Sequence, residues 1–349
     1  MCRLRRRERR ESNVTKRPTI YDVAERAGVS KSLVSLVLQG SPRVSPEKRD
    51  AVLGAVAELG YTPSRLAAGL AGSRTRSVGV VVDEFENVWF APVLAGLRSA
   101  LTQDRISLSV ADASLNAHLG IDPLEAFRAL RVDGVVLAGE ASAESLRRLE
   151  VPAVILGTRA VAAQGIPVVA SDECAGGRLA TAHLADLGHR AIVCVSAPGA
   201  SAAAREAGYV AEMVSRGLVA RVVHAASTTE AAARAALTGD RGASVWSVGD
   251  RPTAVFAVND LMAFGAIGAA AEVGLDVPGD LAVVGYDDSP LASYRLASLS
   301  SVSGDPEELG EVAGRELLAS LAGASSPTHT LLAPRLIIRD SSGPPRPRA

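Results

Sequence analysis

The chain of 349 residues has only three cysteines, Cys2, Cys174 and Cys194, and no CxxC pair. Cysteines this sparse build neither a disulfide framework nor a zinc site, and they fit a reducing compartment. The histidines, at positions 118, 183, 189, 224 and 329, show no zinc-ligand spacing. No apolar run is long and pure enough to span a bilayer. Residues 1–17 are polar and Arg-rich with no apolar stretch behind the charges, unlike a secretory signal. A cytoplasmic protein without a membrane partner is therefore expected. Gly-x-Gly-x-x-Gly after a strand, Gly-Lys-Ser/Thr and Gly-x-Ser-x-Gly are all missing. Nothing assembles into a nucleophile with its base. The sequence thus gives no catalytic residue, no metal ligand and no cofactor.

What is present is a globular composition, with 48% hydrophobic and 21% charged residues, over a length that suits two or three domains. The net charge of -1 hides an asymmetry: residues 1–76 hold 16 Lys and Arg against 7 Asp and Glu, while the remainder holds 21 against 31. A basic head on an acidic body suggests that the head meets a polyanion; a merely solvated N-terminus fits the same count.

Residues 1–17 read as a basic disordered arm that either grazes DNA phosphates or reflects start-codon choice. Residues 18–62 read as a small all-α helix-turn-helix domain. Thr19-Ile-Tyr-Asp22 is a capping-box pattern, Gly28 frees the turn, and Ser30 caps a second helix. Ser45-Pro46-Glu47 opens a third, with Val52, Leu53, Val56 and Leu59 as its apolar stripe and Gly60 at its end. Residues 63–76 form a joint with weak helical propensity, and 341–349, "SGPPRPRA" with the serine before it, read as a disordered tail.

From Ser77 apolar runs alternate with helical stretches: "VGVVV", "ISLSV", "GVVLA", "AVILG", "PVVAS", "AIVCVS", "ARVVHA", "AVFAV" and "LAVVGY". Continuous Val/Ile/Leu runs predict strands buried on both faces, hence α/β architecture with two doubly wound parallel-sheet lobes. In such sheets ligands bind beyond the carboxyl ends of the strands. The residues there include Asp83 to Phe90, Asp112, Gly157, Ser196 to Arg205, Asn259-Asp260 and Tyr286 to Asp288. Aromatic faces beside fork-shaped donors and acceptors suit a sugar, nucleoside or similar polar molecule. Asn and Asp at such places also serve simply as helix caps.

Four further stretches, "AGGRLATAHLADLGHR", "PTAVFAVNDLMAFGA", "VPGDLAVVGYDD" and "DPEELGEVAGRELL", follow "TIYDVAERAGVSKSLVSLVLQG" in a fixed order. Together they resemble the lactose-repressor (LacI/GalR) family of bacterial transcription regulators, from about Pro18 to Asp340. The resemblance implies a helix-turn-helix head, a hinge helix and a two-lobed domain like periplasmic sugar-binding proteins. It places one lobe at about 77–170 and 304–331, and the other at about 171–303 and 332–340. It implies a homodimer or a pair of dimers on operator DNA, controlled by a sugar-like effector.

Carried over by position, base readers fall on Lys31, Ser32 and Leu36, and phosphate contacts on Thr19, Ser30 and Ser35. The minor-groove wedge falls on Leu70, with Ala67 beside it. Effector contacts fall on Arg205, Asn259, Asp260 and Asp287, with Trp89 and Phe90 as the aromatic wall. Period 3.6 turns Val34, Val37 and Leu38 inward and leaves Lys31, Ser32, Ser35, Leu36 and Gln39 outward. The chain departs from the family pattern at Leu33 and Leu36, where Thr and Arg are common, at Gly157 in place of a frequent Asp, and at Gly304-Asp305 in place of Gln-Pro or Gln-Asp. A solute-binding protein without DNA function, and an α/β enzyme with a helical appendage, are the alternatives the residues leave.

Overall fold

The computed structural model describes residues 18–38, 40–62, 75–117, 119–139, 143–159, 165–239, 245–246, 251–324 and 328–345. The expected arm, the hinge positions Ala67 and Leu70, and Gln39 lie outside them. The chain divides into two units, residues 1–75 and 76–349.

In the first unit Thr19 makes its capping box. The Asp22 carboxylate accepts from the Thr19 N–H at 2.6 Å, and Thr19 Oγ1 accepts from the Asp22 N–H. This starts α1 (Ile20–Arg26) with its end donors satisfied. Gly28 turns the chain at φ +66°, a conformation open to glycine at no steric cost. Ser30 Oγ accepts from the Leu33 N–H at 3.3 Å and opens α2 (Lys31–Leu38). Ser45 stands at the N-cap of α3 (Pro46–Leu59) but makes no side-chain cap bond, so the fixed φ of Pro46 and the charge of Glu47 carry that end. Val23, Ala24, Val34, Val37, Val44, Val52 and Ala55 close the core. Leu53, expected in the α3 stripe, is 47% exposed. It stands about 100° around the helix from buried Val52, and Ala55 takes the inward place.

The second unit runs β1 (Ser77–Val82), α4 (Phe90–Leu101), β2 (Ser107–Asp112), α5 (Ala113–Ala117), α6 (Pro123–Leu130), β3 (Gly134–Leu137), α7 (Ala143–Arg147), β4 (Ala153–Leu156) and β5 (Val168–Ser171). It continues through α8 (Glu173–Asp186), β6 (Ile192–Ser196), α9 (Ala200–Ser215), β7 (Arg221–His224), α10 (Glu230–Thr238), β8 (Ala254–Ala257), α11 (Asp260–Glu272), β9 (Ala282–Tyr286), β10 (Ser300–Ser303), α12 (Pro306–Leu321), β11 (His329–Leu332) and β12 (Arg335–Ile337). Two six-stranded sheets result, ordered β11-β5-β4-β3-β1-β2 and β12-β10-β9-β8-β6-β7. The chain passes between them after β5, after β10 and after β11.

The all-valine core of β1 shows why the runs are continuous. Val80 and Val82 face the α4 and α12 side, while Val81 faces Leu124 and Phe127 of α6. Both faces are dry, so alternation has no place. The edge strands depart from this: β2 and β7 are only partly buried, because a helix layer covers each edge incompletely. β10, β11 and β12 were not among the expected strands, and β12 runs antiparallel to β10.

The expected disorder of 341–349 fails for residues 341–345. Ser341 donates to Ser298 O at 3.0 Å and accepts from the Val283 N–H at 2.8 Å, and Gly343 O meets His189 Nε2 at 2.8 Å. His189 thus clamps this segment, with its other nitrogen 2.9 Å from Thr253 Oγ1.

Helices α8 and α9 approach through glycine. A Cβ on Gly177 would fall on the Arg205 carbonyl, and one on Gly208 on the Cys174 carbonyl. Glycine costs a helix about 1 kcal/mol against alanine, and here the close approach requires it. Gly177→Val should therefore push α9 off α8, cost about 1–3 kcal/mol or more in a denaturation midpoint, and separate the groups those helices carry. Unchanged stability would show that the two backbones have room to part.

Candidate functional site

A cavity of about 350 Å³ lies where both sheets end, between the two lobes of the second unit. It is within the range of small-ligand sites. Arg205, on the second turn of α9, is held at its wall by three groups. Its Nε is 2.6 Å from Glu173 Oε2, its Nη1 donates to Val258 O at 2.6 Å, and the same nitrogen is 3.0 Å from Asp287 Oδ1. Its guanidinium lies 3.7 Å from the centre of the buried Tyr286 ring, a cation–π contact. Burial alone would lower the guanidinium's pKa, but Glu173 and Asp287 outweigh it, so Arg205 stays charged.

Asp287 follows β9 in a left-handed backbone, φ +101°, and Asp288 follows at +47°. Such strain in non-glycine residues persists only where surroundings fix it. Here the Asp287 N–H donates to Val302 O at 2.8 Å, the Asp288 N–H to Ser301 Oγ at 3.0 Å, and Arg339 grips Asp288 at 2.7 Å. Burial pushes the Asp287 carboxyl up to about 7, against the pull of Arg205, with Asp260 and Glu173 adding to the rise.

Of the residues expected at the effector site, the cavity brings together Trp89, Phe90, Arg205, Asn259 and Asp287. Trp89 meets Phe90 edge to face at 5.2 Å, and these come from the opposite lobe to Arg205. Asn259 does two jobs: its Oδ1 caps α11 by accepting from the Met262 N–H at 2.8 Å, and its Nδ2 donates to Thr228 O at 3.0 Å. Asp260 does not line the cavity. Its buried carboxylate accepts from the Ser289 N–H at 2.7 Å and Ser301 Oγ at 2.6 Å. It supports the loop that carries Asp287, and burial, against the Ser301 and Ser289 bonds, lifts it to about 6.

Asp112 is also behind the wall, accepting from the Phe85 N–H at 2.7 Å and the Leu115 N–H at 2.8 Å. Among residues that sequence reasoning missed are Glu173, Thr228 and Arg159, which line the cavity past the ends of β5, β7 and β4. The strand-end rule, applied to β5 and β7 as it was to β1 and β9, finds the first two. Arg159 reaches Asp83 at 2.8 Å and Leu156 O at 3.1 Å.

The two raised carboxyls give a pH dependence. Between pH about 4 and about 7 the folded chain holds more protons on Asp260 and Asp287 than the unfolded chain does. Their contribution to stability therefore falls as pH rises through that window. His183 and His189 act oppositely, because burial lowers both and folding gains as they lose protons. Comparing Asp287→Asn with the parent isolates one carboxyl: the variant should lose a downward slope of up to about 1.4 kcal/mol per pH unit. Parallel stability curves from pH 5 to 7.5 would contradict the raised Asp287 value.

On the first unit, Lys31 and Ser32 are exposed and Leu36 is 40% exposed, while Leu33 and Leu38 are half-buried against the core. Ser35 is half-buried and Thr19 is exposed. Ser30 uses its hydroxyl as the cap already described. Tyr21, not singled out by sequence, is 64% exposed, with Lys31 Nζ 5.0 Å from its ring centre and 3.4 Å from its hydroxyl. Apolar, hydroxyl and cationic groups thus share the outer face of one helix and its neighbour. Among the described residues no helix is long and apolar enough to cross a membrane.

Comparison with known proteins covers both units. Residues 19–64 match the family described as bacterial regulatory proteins, lacI family, and residues 181–342 match a periplasmic binding protein-like domain. An HTH-type transcriptional repressor, PurR, of Erwinia tasmaniensis is 33% identical over 93% of this chain and 96% of its own. The structure of the transcriptional regulator CelR in complex with cellobiose is 30% identical, covers 93% of this chain and all of its own, and has a TM-score of 0.67. The lac repressor dimer bound to operator and an anti-inducer is 28% identical, covers 94% and 100%, and has a TM-score of 0.78.

Proposed function

We propose, from the premise that this chain belongs to the lacI family of bacterial regulatory proteins, that it represses transcription under the control of a sugar-like effector. In this reading residues 18–62 bind DNA, 63–76 form the hinge and 77–340 bind the effector. A homodimer sets two α2 helices in successive major grooves of a near-palindromic operator. Lys31 and Ser32 supply hydrogen bonds to bases, Leu36 an apolar contact, and Thr19, Ser30 and Ser35 approach phosphates. Leu70, with Ala67 beside it, wedges into the minor groove and bends the site.

The observation that carries the effector reading is the buried Arg205–Glu173–Asp287 cluster on a cavity walled by Trp89 and Phe90. A fixed fork of donors, carboxylate acceptors and a flat aromatic face match a ring bearing hydroxyls. The cellobiose complex of CelR supports a saccharide. Effector binding between the lobes shifts the equilibrium between DNA-competent and DNA-incompetent forms by its difference in affinity for the two.

A thermal-shift screen of mono- and disaccharides beside purine bases tests this reading. A ligand that binds the folded state raises Tm by mass action. A response to saccharides is expected. A response confined to purine bases would replace the sugar with a base, and no response to either would remove the reading.

A further inference from the structure

Arg159 puts a second guanidinium on the cavity wall, from the lobe opposite Arg205. It follows β4, and its side chain is 12% exposed. Its Nη1 donates to Asp83 Oδ2 at 2.8 Å, its Nε to Leu156 O at 3.1 Å, and its Nη2 to Ala138 O. These acceptors stand at the ends of β1, β4 and β3, so the side chain is fixed against the sheet. A group held in this way loses little freedom when a ligand meets it.

Gly157 makes room for the arrangement. Its backbone is left-handed at φ +83°, and a Cβ there would stand 3.3 Å from Arg159 Nη2. Thr158, between the two, accepts from Ser201 Oγ at its carbonyl, at 3.1 Å. Ser201 lies one turn before Arg205 on α9, so the loop that carries Arg159 is also held from the other lobe. A guanidinium has five N–H donors and accepts nothing. Among the described residues the wall uses three of those of Arg159, which leaves one on each Nη. Glu173 and Asp287, on the other lobe, can only accept when ionised. The two sides of the cavity therefore offer different halves of a hydrogen bond.

We infer that Arg159 is an effector contact: it donates to one ligand oxygen, which at that place acts as an acceptor. This rests on the effector reading above and adds a contact from the second lobe, so that one ligand is gripped by both.

The test is isothermal titration of the full chain with glucose, galactose, ribose, maltose and cellobiose, then with monodeoxy derivatives of the sugar that binds tightest. Arg159→Met keeps an apolar stem and removes every donor. It should weaken that sugar about tenfold or more, the scale of a hydrogen bond to a charged group. The decisive comparison is a double cycle of protein and ligand. One deoxy derivative should bind the parent several-fold more weakly than the full sugar does, yet bind Arg159→Met about as well as the full sugar does. The oxygen it lacks is then the one that Arg159 meets. A residue that only staples the wall would weaken the sugar and all its derivatives alike. Should Arg159→Met not fold, Arg159→Lys keeps a charge beside Asp83 but loses the fork, and the gap for that derivative should narrow. An equal loss across all derivatives, or unchanged binding, overturns the inference and leaves the effector reading intact. A parent that binds none of the five sugars removes the saccharide reading and this inference with it.

Discussion

Arg205→Ala should abolish the effector response and leave specific DNA binding in place. The substitution removes the cation that pairs with Glu173 and Asp287, both buried. Breaking a buried ion pair from one side typically costs about 3–5 kcal/mol, because the remaining charge stays uncompensated. The variant should therefore melt several degrees lower. The DNA-binding unit has its own core of Val23, Val34, Val37 and Val52, so its contacts with DNA do not depend on Arg205. Arg205→Lys separates stability from recognition. It retains a charge against the two carboxylates but loses the planar fork that also reaches Val258 O. Its Tm should lie near the parent's while effector affinity drops by about tenfold or more, the step that 1.4 kcal/mol represents. A normal effector response in Arg205→Ala would remove the cavity from the account.

Leu36→Arg should change which half-site the protein prefers. Leu36 is 40% exposed on α2, between exposed Lys31 and Ser32 on one side and Gly40 on the other. An apolar side chain in a major groove contacts a thymine methyl or another apolar base edge, whereas arginine takes the O6 and N7 of guanine in a bidentate pair. The substitution should therefore gain a guanine at one position, with discrimination of about 1–3 kcal/mol if both bonds form. The protein core does not oppose it, since Val34 and Val37 are the buried residues of that helix. Binding-site selection on parent and variant side by side checks this. Identical selected sequences would mean that Leu36 faces no base.

The strands with runs such as "GVVLA" and "AVFAV" were legible because both faces are dry, and a fully buried strand needs no alternation. The caps at Thr19 and Ser30 were legible because the pattern and the bond lie within four residues. β10, "SSVS", was not. Its polar side chains are buried and satisfied by groups far along the chain: Ser301 by Asp260, and Ser300 by Arg339 and Ser342. Composition reports polarity and cannot report a distant partner. The same holds for Ser341 and Gly343, whose surroundings of Gly and Pro read as disorder until Val283, Ser298 and His189 are brought beside them.

At the cavity, the strand-end rule reached Arg205, Asn259 and Asp287. Their positions follow from where the sheet stops. It could not rank Asp260 below Asp287, because both stand within three places past a strand. Only the fold shows that Ser289 and Ser301 enclose the first and that Arg205 meets the second. Glu173 lies two residues past β5, where the same rule applies, and without it the charge state of Arg205 has no full explanation.

On the proposed reading, filling this cavity changes affinity for a specific DNA site. The most direct measurement of this is fluorescence anisotropy on a fragment recovered by selection from genomic DNA, titrated with and without the saccharide that raises Tm most. The saccharide should shift the Kd for that fragment by about 5- to 150-fold, the usual range of allosteric coupling. Arg205→Ala should show no shift. A saccharide that binds the parent tightly yet leaves its Kd for DNA unchanged would contradict the account.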